Sequence, residues 1–351
     1  MFLFPVTEYD KKIYEEELKD FLPDKILDIH THVWLDQFKN KAEDADEAKR
    51  TVTWPSLVAL DNSIEDLQET YRLMFPGKDV KALMFSGTNC SEDGSAYLSK
   101  VSQETGWPAL YFSHPNQSAE ELEEKIRKGG FLGVKSYLDF SPKYLPVAEI
   151  RIFDFFPKHQ LKKLNEMGAI VMLHIPRNDR LKDPINLAQI SEIKTEFPNV
   201  RLIIAHVGRA YVKEDIGNAF DTLDQFPDLM YDFCANCCEY AITEVIRHAG
   251  VKHVMFGTDM PILRMRCHRI EENGTYINLI PPGLYGDPSQ DSHLREVSEE
   301  EAEKITFFAY EELLALKRAA KTLNLSRQDI EDIMYNNAMN LIEGARKSIY
   351  G

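Results

Sequence analysis

Eight short runs rich in Val, Ile, Phe and Tyr recur along the chain, and a polar stretch with helical spacing follows each of them. A near-continuous apolar run bounded by turn residues is the pattern of a strand buried on both faces, which means a parallel sheet with helices packed outside it. The candidate strands are KILDIHTHVW from Lys25, VKALMFSG from Val80, WPALYFSHP from Trp107 and FLGVKSYLDF from Phe131. They continue as GAIVMLHIP from Gly168, VRLIIAHVG from Val200, LMYDFCANC from Leu229 and KHVMFGTDMP from Lys252. Eight is the number that closes a (β/α)8 barrel, so the expected fold class is α/β, a single TIM barrel with room for distortion. Length agrees, because α/β barrels occupy 351 residues as one unit, and one domain over residues 1–351 is expected.

The stretches between the strands carry helix-start chemistry. Ser63 with Asp66, Ser118 with Glu121, Ser298 with Glu301 and Ser326 with Asp329 all match the capping pattern, and their placement between apolar runs gives them weight. The segment from Glu8 to Phe21, stopped by Pro23, reads as an N-terminal cap helix. Two insertions break the rhythm, from Leu35 to about Asn62 after strand 1 and from about Leu263 to Glu296 after strand 8. Both follow strand C-termini, the face where barrel enzymes build their sites, so they are expected to be long loops that wall a substrate pocket.

Composition narrows the partners. A formal charge of −16 repels phosphate backbones and anionic lipid, which excludes nucleic acid and membrane surfaces as expected partners and leaves a small molecule. The 5 cysteines are odd in number and scattered, unlike a disulfide framework, so a reducing cytoplasm is expected. Glu8 and Asp10 follow the short apolar opening at once, so no signal peptide is read there, and no apolar stretch approaches the roughly 20 residues of a membrane span. A homo-oligomer is compatible with this composition.

In Asp28-Ile29-His30-Thr31-His32 two histidines stand two apart on a strand, and the period of a strand aims both rings to one side. His174, His206 and Asp259 lie near the C-terminal ends of strands 5, 6 and 8, which converge at one barrel mouth. Imidazoles and a carboxylate gathered there form the nitrogen and oxygen set that zinc, manganese or iron accept, with a position open for water.

DIHTHVW, VMLHIP, IIAHVG and MFGTDMP resemble the strand 1, 5, 6 and 8 motifs of the amidohydrolase superfamily, over nearly the whole chain. The closing Tyr335-Asn336-Asn337-Ala338-Met339-Asn340 is similar to the Asn-Ala segment of its amidohydrolase-related branch. The resemblance implies that His30, His32, His174 and Asp259 hold a catalytic divalent metal, zinc first, and that Asp259 also takes a proton from the water the metal activates. It implies that His206 either holds a second ion or polarises the substrate. Lys135 resembles the lysine that dihydroorotase-like members carboxylate to bridge two metals, although Ser136 departs from the leucine usual after it; a solvent-paired or substrate-binding lysine is the alternative.

Arg177 and Arg180 follow strand 5, Arg209 follows His206, and Arg264, Arg266 and Arg269 follow strand 8. Guanidinium groups at the mouth can clamp a carboxylate or phosphate, and Arg177, Arg209 and Arg264 are the candidates for this; rim salt bridges are the alternative for each. Tyr137, Trp34 and His114 lie near strand ends and are read as packing first. Cys234, Cys237 and Cys238 have one zinc-like spacing but no second pair, and strand 7 accounts for them. The resemblance leaves two reactions open: hydrolysis of an amide, lactone or ester, and nonoxidative decarboxylation. The H-x-H motif tilts away from resorcylate-type decarboxylases though not from the carboxymuconate type. A non-catalytic scaffold is the third reading, and the complete ligand set argues against it.

Overall fold

The strands come first, because they set where the site lies. In the computed structural model, which describes residues 3–39, 55–87 and 91–351, β1 (Lys25–His32) pairs in parallel with β2 (Asp79–Phe85). A six-stranded parallel sheet follows in chain order: β3 (Tyr111–Phe112), β4 (Gly133–Lys135), β5 (Ile170–Leu173), β6 (Arg201–Ile204), β7 (Met230–Asp232) and β8 (Val254–Met255). Two bridges join the pieces, Met84 with Ala109 between β2 and β3, and Thr31 with Met260 between β1 and the end of β8. Backbone bonds reinforce both seams: Leu110 N donates to Met84 O (2.8 Å), Ile29 N to Phe256 O (2.9 Å) and His32 N to Met260 O (2.8 Å). The eight strands expected from the sequence are the eight strands of this ring.

Alternation divides the core in two. Leu27, Ile29, Leu83, Phe85, Leu110 and Met172 fill the barrel, together with Ala338, Leu341 and Ile342 of the helix Asn337–Tyr350. Ile26, Ala82, Met84, Val171, Ile204 and Phe256 belong to the larger cluster that also holds Leu67 and Tyr71 of the helix Ile64–Met74. The change of partner along each strand is the period of two expressed in packing.

All four predicted capping boxes form. Each supplies hydrogen bonds to backbone donors that the first turn leaves free, worth about 1 kcal/mol per cap. The N-terminal helix runs Glu8–Ile13 and continues as a π-helical turn, Tyr14–Leu18, stopping short of Phe21.

The insertion after β8 is more than a loop. It holds β9 (His268–Glu272), β10 (Thr275–Ile280) and β11 (Leu294–Glu296), a small sheet in the order β11-β10-β9. β9 and β11 are charged and largely exposed, and β10 (TYINLI) is a short apolar run inside what the sequence reads as a loop. Arg269 fastens this sheet to the barrel: Nη1 donates to Ala235 O (2.5 Å), and the guanidinium lies 4.4–4.6 Å from the ring centres of Tyr211, Tyr276 and Phe308. Of the insertion after β1, residues 40–54 lie outside the described residues; its base is closed by a bridge between Trp34 and Asn62. Among the described residues no helix is long and apolar enough to cross a membrane.

The N-terminal helix is tied to the β8 insertion by one buried ion pair. Asp10, fully buried, accepts from Arg266 Nη2 (2.6 Å) and Nη1 (3.0 Å) and from Thr306 Oγ1 (2.8 Å). Asp10→Ala strands a guanidinium that is largely shielded from water, a loss of about 3 kcal/mol in unfolding free energy. Urea denaturation checks this, and Asp10→Ala unfolding at the parent midpoint would contradict it.

Candidate metal centre

A bulge in β1 decides which way its histidines face. Asp28 pairs with Ala82 and Thr31 with Met84, so β1 advances three residues while β2 advances two. Ala82 and Met84 belong to the outer core and Phe85, which pairs with His32, to the inner. Plain alternation from Leu27 and Ile29 would send His30 and His32 outward with Asp28; the extra residue brings both rings into the barrel. The H-x-H spacing correctly places both rings on one side, and the bulge selects the side. At the facing strand end, a Cβ on Gly257 would meet His30 Cβ at 2.8 Å and Cys234 Cβ at 3.2 Å, so only glycine lets β8 pass this close.

His32 Nε2 lies 3.2 Å and His30 Nε2 3.5 Å from Asp259 Oδ1, and the ligand atoms of these three residues lie within 4.8 Å of one another. The other ring nitrogens are spoken for. His32 Nδ1 donates to Ser86 O (2.7 Å), and a carbonyl only accepts, so the proton is on Nδ1 and Nε2 keeps its lone pair. His30 Nδ1 bonds Asp232 Oδ2 (2.9 Å) with the same consequence. Both unprotonated nitrogens face the Asp259 carboxylate, that of His30 with Lys135 Nζ also 2.9 Å away, and this donor set fits a divalent cation.

The two other candidate histidines follow in series from His30. The His206 ring centre is 4.8 Å from that of His30, and the His174 ring centre 5.3 Å from that of His206. His206 Nδ1 meets Cys234 O at 3.0 Å and Cys234 Sγ at 2.9 Å. His174 Nε2 is 3.3 Å from Tyr137 Oη, while its Nδ1 is buried with no hydrogen-bond partner, as a ligand nitrogen would be without its ion. A second group of candidate ligand atoms, from His30, His206, Asp232 and Cys234, is wholly buried. His174 belongs to neither group, although the sequence reading set it beside His30 and His32.

Asp232 is a site residue that the sequence motifs do not mark. It ends β7, as Asp259 and His206 follow β8 and β6, and a carboxylate at a strand C-terminus was the available signal. Its Oδ2 takes His30 Nδ1, and its Oδ1 accepts from His206 N (2.7 Å) and Cys234 N (3.2 Å). That side chain therefore spans β1, β6 and β7. The backbone it holds is strained: His206, Val207, Gly208 and Arg209 have φ of 58°, 49°, 59° and 60°, and Val207 is β-branched.

Burial disfavours the charged form of each group here, while the acids and imidazoles favour one another's charged forms. Burial, then the charge of Lys135, lowers His30 to about 4 against the pull of Asp232. Burial also lowers His206, and it lowers His174 well below the usual value with help from Arg209. Burial raises Asp259, and the neighbouring rings of His32, His30 and His206, when they carry a second proton, lower it well below the carboxylate range. In Asp232 burial is likewise outweighed by His30, bringing the carboxyl down to about 2. Neutral imidazoles and ionised carboxylates are the metal-binding forms.

Lys135 lies inside this cluster, 1% exposed, with Nζ 2.9 Å from His30 Nε2 and 4.7 Å from the centre of the Phe85 ring. Among the described residues it has no carboxylate at ion-pair distance, and burial lowers its pKa. The arginines divide. Arg180 pairs with Asp215 and Arg266 with Asp10, both away from the histidines. Arg177 pairs with Asp183 and lines a surface cleft of about 480 Å³ with Tyr144, Glu149 and Arg151, a cleft that none of the histidines lines. Arg264 donates to Val58 O (3.0 Å) and lies over Phe4. Arg209, bonded to Pro176 O (3.2 Å), bears electrostatically on both His174 and Tyr137.

Comparison with known proteins bears on the fold and the family. No curated protein sequence matches the chain. Among solved structures, an amidohydrolase of Burkholderia multivorans with bound zinc is 10% identical over 91% of this chain and 99% of that one, with a TM-score of 0.57. A probable 2-pyrone-4,6-dicarboxylic acid hydrolase of Acinetobacter baumannii with bound citric acid is 13% identical over 91% and 99%, with a TM-score of 0.55. A dihydroxybenzoic acid decarboxylase of Polaromonas sp. JS666, with manganese and 2-nitroresorcinol, is 13% identical over 94% and 100%, with a TM-score of 0.52. Identities this low speak for the fold alone. The sequence model of the amidohydrolase family matches residues 27–343, from the strand that carries His30 and His32 to the closing helix, and the chain belongs to that family.

Proposed function

We propose that the protein is a metal-dependent hydrolase that uses an activated water to open an amide, lactone or ester bond of a small anionic substrate. In this reading residues 1–351 form one catalytic unit, and His30, His32, His174 and Asp259 hold a divalent cation, with zinc preferred over manganese or iron. The observation that carries it is the pair of Nε2 lone pairs, set by Asp232 and Ser86, that face one carboxylate oxygen of Asp259. A divalent cation there supplies Lewis acidity and makes hydroxide available near neutral pH.

The protein's own groups do the rest. Asp259, held ionised, accepts the proton of the attacking water and returns it to the leaving group. His206 donates its Nδ1 proton to Cys234 O, the better acceptor beside a thiol, so its Nε2 carries a lone pair. That suits a ligand or a base better than a hydrogen-bond donor to the substrate. Arg209 is the first candidate to meet a substrate carboxylate or phosphate, ahead of Arg177 and Arg264. A carbamate of Lys135 would bridge a second cation shared with His206. Its burial and the lack of an ion-pair partner support this, because a neutral amine is the form that adds carbon dioxide.

Nonoxidative decarboxylation is the second reading, supported by the fold shared with a manganese-bound dihydroxybenzoic acid decarboxylase. Product analysis separates the two: acid release followed by titration for hydrolysis, carbon dioxide release for decarboxylation.

Three outcomes are expected. Protein purified without chelator carries at least one divalent ion per chain, and Lys135→Ala lowers that count if the lysine bridges two ions; retention of two ions by the variant would remove the carbamate. Asp232→Asn, which deprives His30 of its anionic partner, weakens metal affinity by about 10–100-fold in a chelator competition. Asp259→Asn, with metal content measured on the same sample, slows turnover by at least about a hundredfold. A metal-loaded variant within a few-fold of the parent would transfer the base role to His206.

A further inference from the structure

The bulge that turns His30 inward needs something to hold it, and Asp28 is placed to do so. Its carboxylate is fully buried and takes four donors. Oδ1 accepts from His30 N (3.0 Å) and Thr258 N (3.0 Å); Oδ2 accepts from Tyr71 Oη (2.6 Å) and Thr258 Oγ1. Four donors, two to each oxygen, occupy the acceptor sites of this carboxyl group.

Those donors lie on both sides of the seam where the barrel closes. His30 N belongs to the bulge itself. Thr258 is the residue before Asp259, whose φ of +50° is unfavourable for a side chain of its kind, and Asp259 N donates to His30 O at 2.6 Å. Thr258 Oγ1 also accepts from Met260 N (3.2 Å), so the turn that presents Asp259 is held on both flanks. Tyr71 brings in the helix Ile64–Met74 from outside the barrel. One side chain thus couples the bulge that aims His30 and His32 to the turn that aims Asp259.

We propose that Asp28 is a positioning residue. By pinning the β1 bulge to the Thr258–Met260 turn, it holds the imidazoles of His30 and His32 and the carboxylate of Asp259 at ligand spacing. This rests on the metal reading of the site for its functional consequence, but not for the mechanical coupling itself. Without the carboxylate, β1 can revert to plain alternation, which would carry His30 and His32 out of the barrel, and the seam amides lose their acceptor.

The test compares the parent with Asp28→Asn, which keeps size but places an amide donor against hydroxyl donors, and with Tyr71→Phe, which removes one bond. Ile190→Ala, in the core beneath the helix Pro184–Glu196, is the control for general destabilisation. Amide hydrogen exchange of the metal-free proteins is followed over residues 29–32 and 258–260. Cobalt(II) affinity is then measured by chelator competition, with the visible spectrum as a report on ligand geometry. Asp28→Asn is expected to speed exchange in both segments at least tenfold relative to the rest of the barrel and to weaken cobalt binding at least tenfold with an altered spectrum. Tyr71→Phe should show a smaller effect in the same two segments, and it decides the matter if Asp28→Asn does not fold. Exchange in the seam within twofold of the parent, or a uniform acceleration like that of Ile190→Ala, overturns the proposal. So does faster exchange with cobalt affinity and spectrum unchanged. A parent that takes up no cobalt removes the metal reading instead, and the exchange arm still decides whether Asp28 couples the two segments.

Discussion

Closure of the strand ring between β8 and β1 is the constraint on which the rest depends. A parallel sheet left open there would expose unpaired amides and carbonyls on two edges next to the most polar part of the molecule. Here Ile29, His32, Thr258 and Asp259 all donate backbone bonds across that gap. The same few residues carry His30, His32 and Asp259, so closing the barrel and assembling the candidate ligands are one structural event.

Polar burial around the seam is concentrated and largely satisfied. Asp28, His30, Asp232 and Lys135 are at most 1% exposed. Buried charge is tolerated only when donors and acceptors match, and Asp28 and Asp232 meet that condition through backbone amides and neighbouring side chains. What stays unsatisfied is informative. Among the described residues His174 Nδ1 has no hydrogen-bond partner, and Lys135 bonds His30 Nε2 but no carboxylate; both lie beside the cluster whose chemistry would complete them. Glu312, whose carboxyl is fully buried, has its pKa raised far above the usual value by burial and by Asp28, against the backbone amides of Ala235 and Asn236, the condition of a neutral carboxyl.

The ring of strands was legible because both faces of each strand are buried, and dual burial writes a continuous apolar run that needs no partner to be recognised. Capping boxes were legible for a similar reason, since Ser63 and Asp66 act within a single turn. The sheet of β9 to β11 was not, because β9 and β11 are short and charged, the uncharged β10 falls inside a long insertion, and the sheet is fixed to the barrel by Arg269 packing on Tyr211 and Phe308 from elsewhere in the chain. Among the six arginines grouped around the mouth by sequence, Arg180 and Arg266 are committed to carboxylates 35 and 256 residues away in the chain, partners that spacing does not reveal.

In the site, sequence alone determined the residue types and the end of the barrel to which they are delivered, because strand order and the C-terminal ends of β1, β5, β6 and β8 follow from local pattern. It also determined that His30 and His32 share a side, through the period of two. Tertiary structure decided which side, by a one-residue bulge that no spacing rule reveals. It decided which ring nitrogens are free, through Asp232 and Ser86, and it drew Asp232 into a site where it had gone unremarked. Periodicity is a property of neighbours along the chain, whereas tautomers, register shifts and ion pairs are set by atoms that meet only when the barrel closes.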